Sequence, residues 1–71
     1  MKDDFYKNLG KNIKNRRKEL HLTQQQLADC LGISLNFMGK IEVAFSKPSL
    51  DTLIEIADKL NTTVSDLTKF D

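Results

Sequence analysis

The chain has 71 residues, 39% hydrophobic and 30% charged, the composition of one small soluble domain. No apolar run approaches the roughly 18–20 residues of a membrane span, and no signal-peptide pattern opens the chain. With one cysteine, Cys30, neither an internal disulfide nor a cysteine-based zinc site is available, so a reducing, cytoplasmic setting is expected. The net charge of +1 conceals a division. Residues 1–48 hold nine Lys or Arg against five Asp or Glu, and residues 49–71 hold two against five. An anionic partner is therefore expected at the basic end. A core this thin, with no staple, also favours a partner subunit.

Apolar residues recur at helical spacing, and most of the runs follow a capping residue, which predicts five helices. The first covers about 4–19. Phe5, Leu9 and Ile13 form its inner stripe, and Lys7, Lys11, Lys14 and Lys18 its basic outer face. Arg17 continues the inner stripe at a four-residue step, and a charge there needs a partner. The second covers about 24–31, with Thr23 and Gln26 as a capping box and Gly32 as terminator. The third covers about 35–42 behind Ser34. The fourth covers about 50–60, with Ser49 as cap after Pro48. Its apolar positions are Leu50, Leu53, Ile54, Ala57 and Leu60, and its solvent side is Asp51, Glu55 and Asp58. A last helix covers about 64–69, capped by Thr63, with Asp66 in its first turn.

Helix, glycine turn and helix within 23–42 are the layout of a helix-turn-helix. The segments LTQQQLADCLGISLNFMGKIE and KPSLDTLIEIADKLN resemble the Cro/repressor-type, XRE-like family. The likeness runs from about Leu9 to Leu67, through Thr23-Gln24, Leu27-Ala28, Leu31-Gly32-Ile33-Ser34, Ile41-Glu42 and Pro48-Ser49-Leu50 in order. The resemblance implies an all-α fold, a compact five-helix bundle of the lambda-repressor-like kind filling residues 1–71 as a single domain. It implies a transcriptional regulator, a repressor or controller, binding a double-stranded DNA operator as a homodimer on a palindromic site.

In such a fold the third helix lies in the major groove. With Met38 and Ile41 facing inward, its outward positions are Leu35, Asn36, Gly39 and Lys40. By resemblance Leu35, Asn36 and Lys40 fall on base-reading positions. Asn36 suits adenine, Lys40 suits guanine or a phosphate, and Leu35 suits a thymine methyl. Gly39 lets the backbone approach the DNA. The family holds a phosphate with a glutamine at the start of the second helix, here Gln24. Ser34 and the loop residue Lys47 are further phosphate candidates, with Lys14 and Lys18 on the first helix. The resemblance also pairs Arg17 with Glu42, an ion pair tying the first helix to the third.

The chain departs from the family pattern at Val43-Ala44-Phe45, where Asn-Gly and a cation are usual. Alanine is strained at positive φ, so the loop is expected to take a different path. Phe45 is expected either to fold over the core or to form an exposed apolar contact. Phe45, Val64 and Phe70 are candidates for a dimer interface. Cys30 is expected to be a part-buried small residue and His21 a surface one. No catalytic triad, Gly-rich phosphate loop or metal-ligand cluster is present, so no enzyme, cofactor, metal or small-molecule ligand is expected. The alternative reading is a protein-interaction module on the same scaffold, or an antitoxin-type regulator with a protein partner.

Overall fold

The computed structural model describes residues 2–70. The end residues of the domain expected over 1–71 lie outside the described residues, as do the side chains of Lys2 and Asp3. Five helices follow in order: α1 Lys2–Glu19, α2 Gln24–Leu31, α3 Leu35–Glu42, α4 Leu50–Lys59 and α5 Val64–Leu67. Thus α1 starts earlier than expected, and α5 stops two residues sooner. No described helix is long and apolar enough to cross a membrane.

Each start from α2 onward is set by a hydroxyl cap. Thr23, Ser34, Ser49 and Thr63 sit in extended backbone and accept from the amides of Gln26, Phe37, Thr52 and Asp66. Such a cap is worth about 1 kcal/mol. Gln26 completes the capping box by accepting from the Thr23 amide at 2.8 Å.

The first four helix ends share another device. Residues His21, Gly32, Ala44 and Asn61 have φ of 58°, 68°, 66° and 52°. At each, its own amide reaches back three residues and the next amide reaches back five, as in Leu22 N to Arg17 O at 3.1 Å and Phe45 N to Lys40 O at 2.8 Å. This is the Schellman closure, which satisfies carbonyls left free at a helix end. Only one of the four positions carries the glycine that the left-handed conformation favours. The expectation that Ala44 diverts the loop is therefore corrected. Two backbone hydrogen bonds and the packing of α3 hold the same turn, and alanine bears the strain.

The core is built from Leu9 and Ile13 of α1, Leu27 and Ala28 of α2, Met38 and Ile41 of α3, Leu53, Ile56 and Ala57 of α4, with Leu60 and Leu67. Ala28 is fully buried, as its small size at a helix crossing requires. Gly10 fixes a second close crossing. A Cβ there would lie 2.6 Å from both the Ile41 and Glu42 carbonyl oxygens, so α1 meets the end of α3 backbone to backbone.

Polar side chains of α1 close the far end of the bundle. Arg16 Nε donates to Leu60 O at 2.9 Å and its Nη2 to Asn61 O at 3.2 Å. Asn12 Nδ2 donates to Leu67 O and Lys69 O at 2.9 and 3.1 Å. These long side chains satisfy the terminal carbonyls of α4 and α5. A hydrogen bond and the charge of Lys69, 3.2 Å away, hold the exposed Asp66 carboxyl below the usual carboxylate range.

Several apolar residues lie outside the core. Leu50 and Ile54 are 66% and 50% exposed, although they belong to the apolar series of α4. Phe45 is 84% exposed, which corrects the expectation that it folds over the core. Cys30 is exposed rather than part-buried. It lies on the side of α2 away from Leu27 and Ala28, and its position in the sequence gives no periodic signal either way.

Candidate nucleic-acid interface

Helix α3 is held from behind and bare in front. Met38, Ile41 and Glu42 are buried, while Leu35, Asn36 and Lys40 are exposed and Gly39 is half-covered. The outward set expected from the spacing is thus the outward set observed. Ser34 caps the helix through its Oγ and remains exposed. In front of it the amides of Leu35 and Asn36 have no preceding helical carbonyl to bond, which gives this end its positive character.

The buried end of α3 is anchored by a polar network. Arg17 Nε donates to Glu42 Oε2 at 2.7 Å and Arg17 Nη2 to Oε1 at 3.1 Å. The side chains are 8% and 1% exposed. Arg17 Nη1 also donates to Leu22 O at 2.7 Å. Gln24 Nε2 donates to Glu42 Oε1 at 2.9 Å. The fork geometry matches guanidinium to carboxylate and leaves the buried charges compensated. No fully buried side-chain polar atom among the described residues lacks a partner. In one network the end of α1, the following turn, the start of α2 and the end of α3 are locked together.

Gln24 therefore has a second attachment that spacing did not reveal. Its amide is bound to Glu42 and lies 3.9 Å from where a Cβ on Gly39 would sit. This brings the phosphate candidate on α2 against the reading face of α3. A Cβ at Gly39 would meet that amide at ordinary van der Waals distance, so the Gln24 contact does not itself require glycine.

The other candidates are more dispersed. Lys14 and Lys18 are exposed on the outer face of α1. Lys47 is exposed, and its ammonium sits 5.1 Å from the centroid of the Tyr6 ring, a cation–π contact that holds the loop to α1. Val64 is half-buried against the protomer's own core. Phe70 packs edge-on against Phe5 with centroids 5.3 Å apart. Of the three dimer candidates, Phe45 alone projects freely. The open groove lined by Asn12, Asn15, Arg16 and Asn61 shares no residue with the α3 face, and Asn12 and Arg16 there are engaged in closing helix ends.

A helix-turn-helix family model matches residues 13–67. The chain is 37% identical over 59 residues to the cryptic phage CTXphi transcriptional repressor RstR of Vibrio cholerae, covering 83% of this chain and 53% of that protein. It is 34% identical over 64 residues to the control protein C.SmaI of Serratia marcescens, covering 90% of this chain and 76% of that one. The restriction-modification controller protein C.AhdI of Aeromonas hydrophila has the same fold, with a TM-score of 0.83 over 87% of this chain and 94% of that chain at 22% identity. The chain spans about half the length of the phage repressor. Helix order, capped turn, buried arginine–glutamate fork and these likenesses agree: the chain belongs to the XRE-type helix-turn-helix family of transcriptional repressors and control proteins.

Proposed function

We propose that the protein is a sequence-specific double-stranded DNA-binding regulator that acts as a homodimer on a palindromic operator in the cytoplasm. The observation that carries this reading is the exposed row of Leu35, Asn36 and Lys40 on a helix whose back is fixed by Met38, Ile41 and the Arg17–Glu42 fork. In this reading α3 enters the major groove, with Leu35, Asn36, Gly39 and Lys40 at base edges. Asn36 pairs with the N6 and N7 edge of adenine, and Lys40 reaches a guanine or a phosphate. Gln24, Ser34 and Lys47 hold the backbone near α3, with Lys14 and Lys18 as outlying cations. The acidic face of α4, with Asp51, Glu55 and Asp58 exposed, is repelled by DNA and orients the basic half inward.

Two-fold pairing places the two α3 helices in successive major-groove turns, roughly 34 Å apart. Phe45, Leu50 and Ile54 supply exposed apolar surface for that pairing, with Val64 and Phe70 at its margin. Salt-titrated binding to duplex DNA tests the reading. The affinity must fall steeply with salt because each contacted phosphate releases condensed counterions. Sedimentation of the free protein and the complex tests the dimer.

The exposure of Phe45 favours a second reading, an antitoxin-type or other protein-docking module. That module need not bind duplex DNA, so the same titration separates the two.

A further inference from the structure

The loop after α3 departs from the family pattern at Val43-Ala44-Phe45, and these residues build a groove outside the reading face. It is lined by Tyr6 and Lys7 of α1 and by Val43, Ala44, Phe45 and Lys47. Leu35, Asn36 and Lys40 do not line it, nor do Leu50 and Ile54. Val43 is 64% exposed and Phe45 more so. The groove encloses about 170 Å³. A cavity of roughly 150 Å³ holds a benzene ring, so there is room here for one aromatic or branched aliphatic side chain.

The walls are set before anything binds. The amides of Ala44 and Phe45 are tied to the Ile41 and Lys40 carbonyls at 3.2 and 2.8 Å. The Lys47 ammonium rests 5.1 Å from the Tyr6 ring centroid. A groove already formed costs its occupant little ordering. Among the described residues lining it, two are cations and none is an acid. Lys11, Lys14 and Lys18, all exposed, carry the positive charge onward along α1. The complementary occupant is therefore acidic. It also carries an apolar group, because a row of phosphates gives Val43 and Phe45 no apolar surface to cover. A second copy of this chain would need a wider surface. A standard interface takes about 20–30 residues a side, and this groove has six.

We propose that the groove docks an acidic segment of another protein. One aromatic or branched aliphatic side chain of that segment sits among Tyr6, Val43 and Phe45, and flanking carboxylates meet Lys7 and Lys47. The site goes beyond the reading of α3 and does not depend on it.

The test uses the full chain and a fluorescein-labelled probe peptide, one phenylalanine with three aspartates or glutamates on each side. Fluorescence anisotropy should show saturable binding, and amide NMR shifts should centre on Tyr6, Lys7 and residues 43–47. Replacing the peptide's phenylalanine by serine should weaken binding about ten-fold or more, the value of burying a large apolar side chain. Phe45→Ser should weaken it to a similar degree. Lys7→Ala and Lys47→Ala should each weaken it about three-fold, as for exposed ion pairs. All three positions are exposed, so circular dichroism should match the parent and a loss of binding is not a loss of fold. Absence of saturable binding at millimolar peptide overturns the proposal. So does equal binding by the serine peptide or by Phe45→Ser, which reduces the contact to charge alone. Equal binding of an oligothymidine of the same charge, with the same shifts, overturns it in favour of nucleic acid. The same shifts on raising the protein concentration without peptide overturn it in favour of a second copy.

Discussion

Arg17 and Glu42, on α1 and α3, are joined inside the protein by two hydrogen bonds of 2.7 and 3.1 Å, with Glu42 also accepting from Gln24. Removing the guanidinium leaves a buried carboxylate with one amide donor. Arg17→Ala should therefore cost on the order of 3–5 kcal/mol in chemical denaturation. Arg17→Lys should not restore the loss, because an ammonium lacks the planar fork. A joint Arg17→Met, Glu42→Leu replacement should be milder than either single truncation, since it leaves no orphaned charge. An unchanged midpoint in Arg17→Ala would show that the pair does not support the fold.

Gly10 should resist substitution. Alanine improves helix propensity by roughly 0.5–1 kcal/mol, but its Cβ would lie 2.6 Å from two carbonyl oxygens of α3. Backbone cannot yield as a side chain can, so overpacking of about 1–3 kcal/mol should dominate. Gly10→Ala should lower the melting temperature, and it should weaken DNA binding by displacing the end of α3. A variant more stable than the parent would contradict the close crossing.

Ala44 predicts the opposite sign. Its φ of 66° strains an L-residue by roughly 1–2 kcal/mol, and glycine relieves that strain while adding some unfolded-state entropy. Ala44→Gly should stabilise by about 0.5–1 kcal/mol. Because the loop already follows the left-handed path, its geometry and DNA affinity should be preserved. Equilibrium unfolding checks the first claim and duplex titration the second.

Cys30 is exposed and should react with a thiol reagent in the native state at a rate close to that of the unfolded chain. Cys30→Ser should change stability by no more than about 0.5 kcal/mol, as for surface positions without a special role. Protection of the thiol until global unfolding would place it in the interior instead.

The helices from α2 onward were legible because their starts carry hydroxyl caps, and α1 because its inner stripe keeps a helical period. The arginine on the stripe of α1 was legible for the same reason, since a charge among Leu9 and Ile13 must be compensated, and the family resemblance named Glu42. Periodicity does not register close approach between distant helices. The requirement for glycine at position 10 comes from the Ile41 and Glu42 carbonyls of α3, which no pattern within α1 reveals. Asn12 and Arg16 reach carbonyls of α4 and α5, contacts set by bundle geometry alone. Ala44 takes a left-handed conformation that its residue type does not signal, because backbone hydrogen bonds impose it, whereas His21 and Asn61 are of types that adopt it more readily. On α4 the apolar arc is wider than the surface its neighbours cover, so Leu50 and Ile54 joined the inner series in sequence and stand outside in space. Val43 read as a loop departure, and in space it caps the end of α3 with its side chain exposed beside Tyr6 and Lys7.

In the proposed function α3 reads DNA with its outward side chains. The most direct test of this role is the affinity of Asn36→Ala plus Lys40→Ala for the tightest-binding duplex recovered from a random library, at fixed salt and beside the parent protein. Both positions are exposed, so the variant should fold and melt like the parent. The expected result is a loss of about 1–3 kcal/mol for each base contact removed, with relaxed preference at the contacted positions. Equal affinity and equal preference in the folded double variant would contradict it.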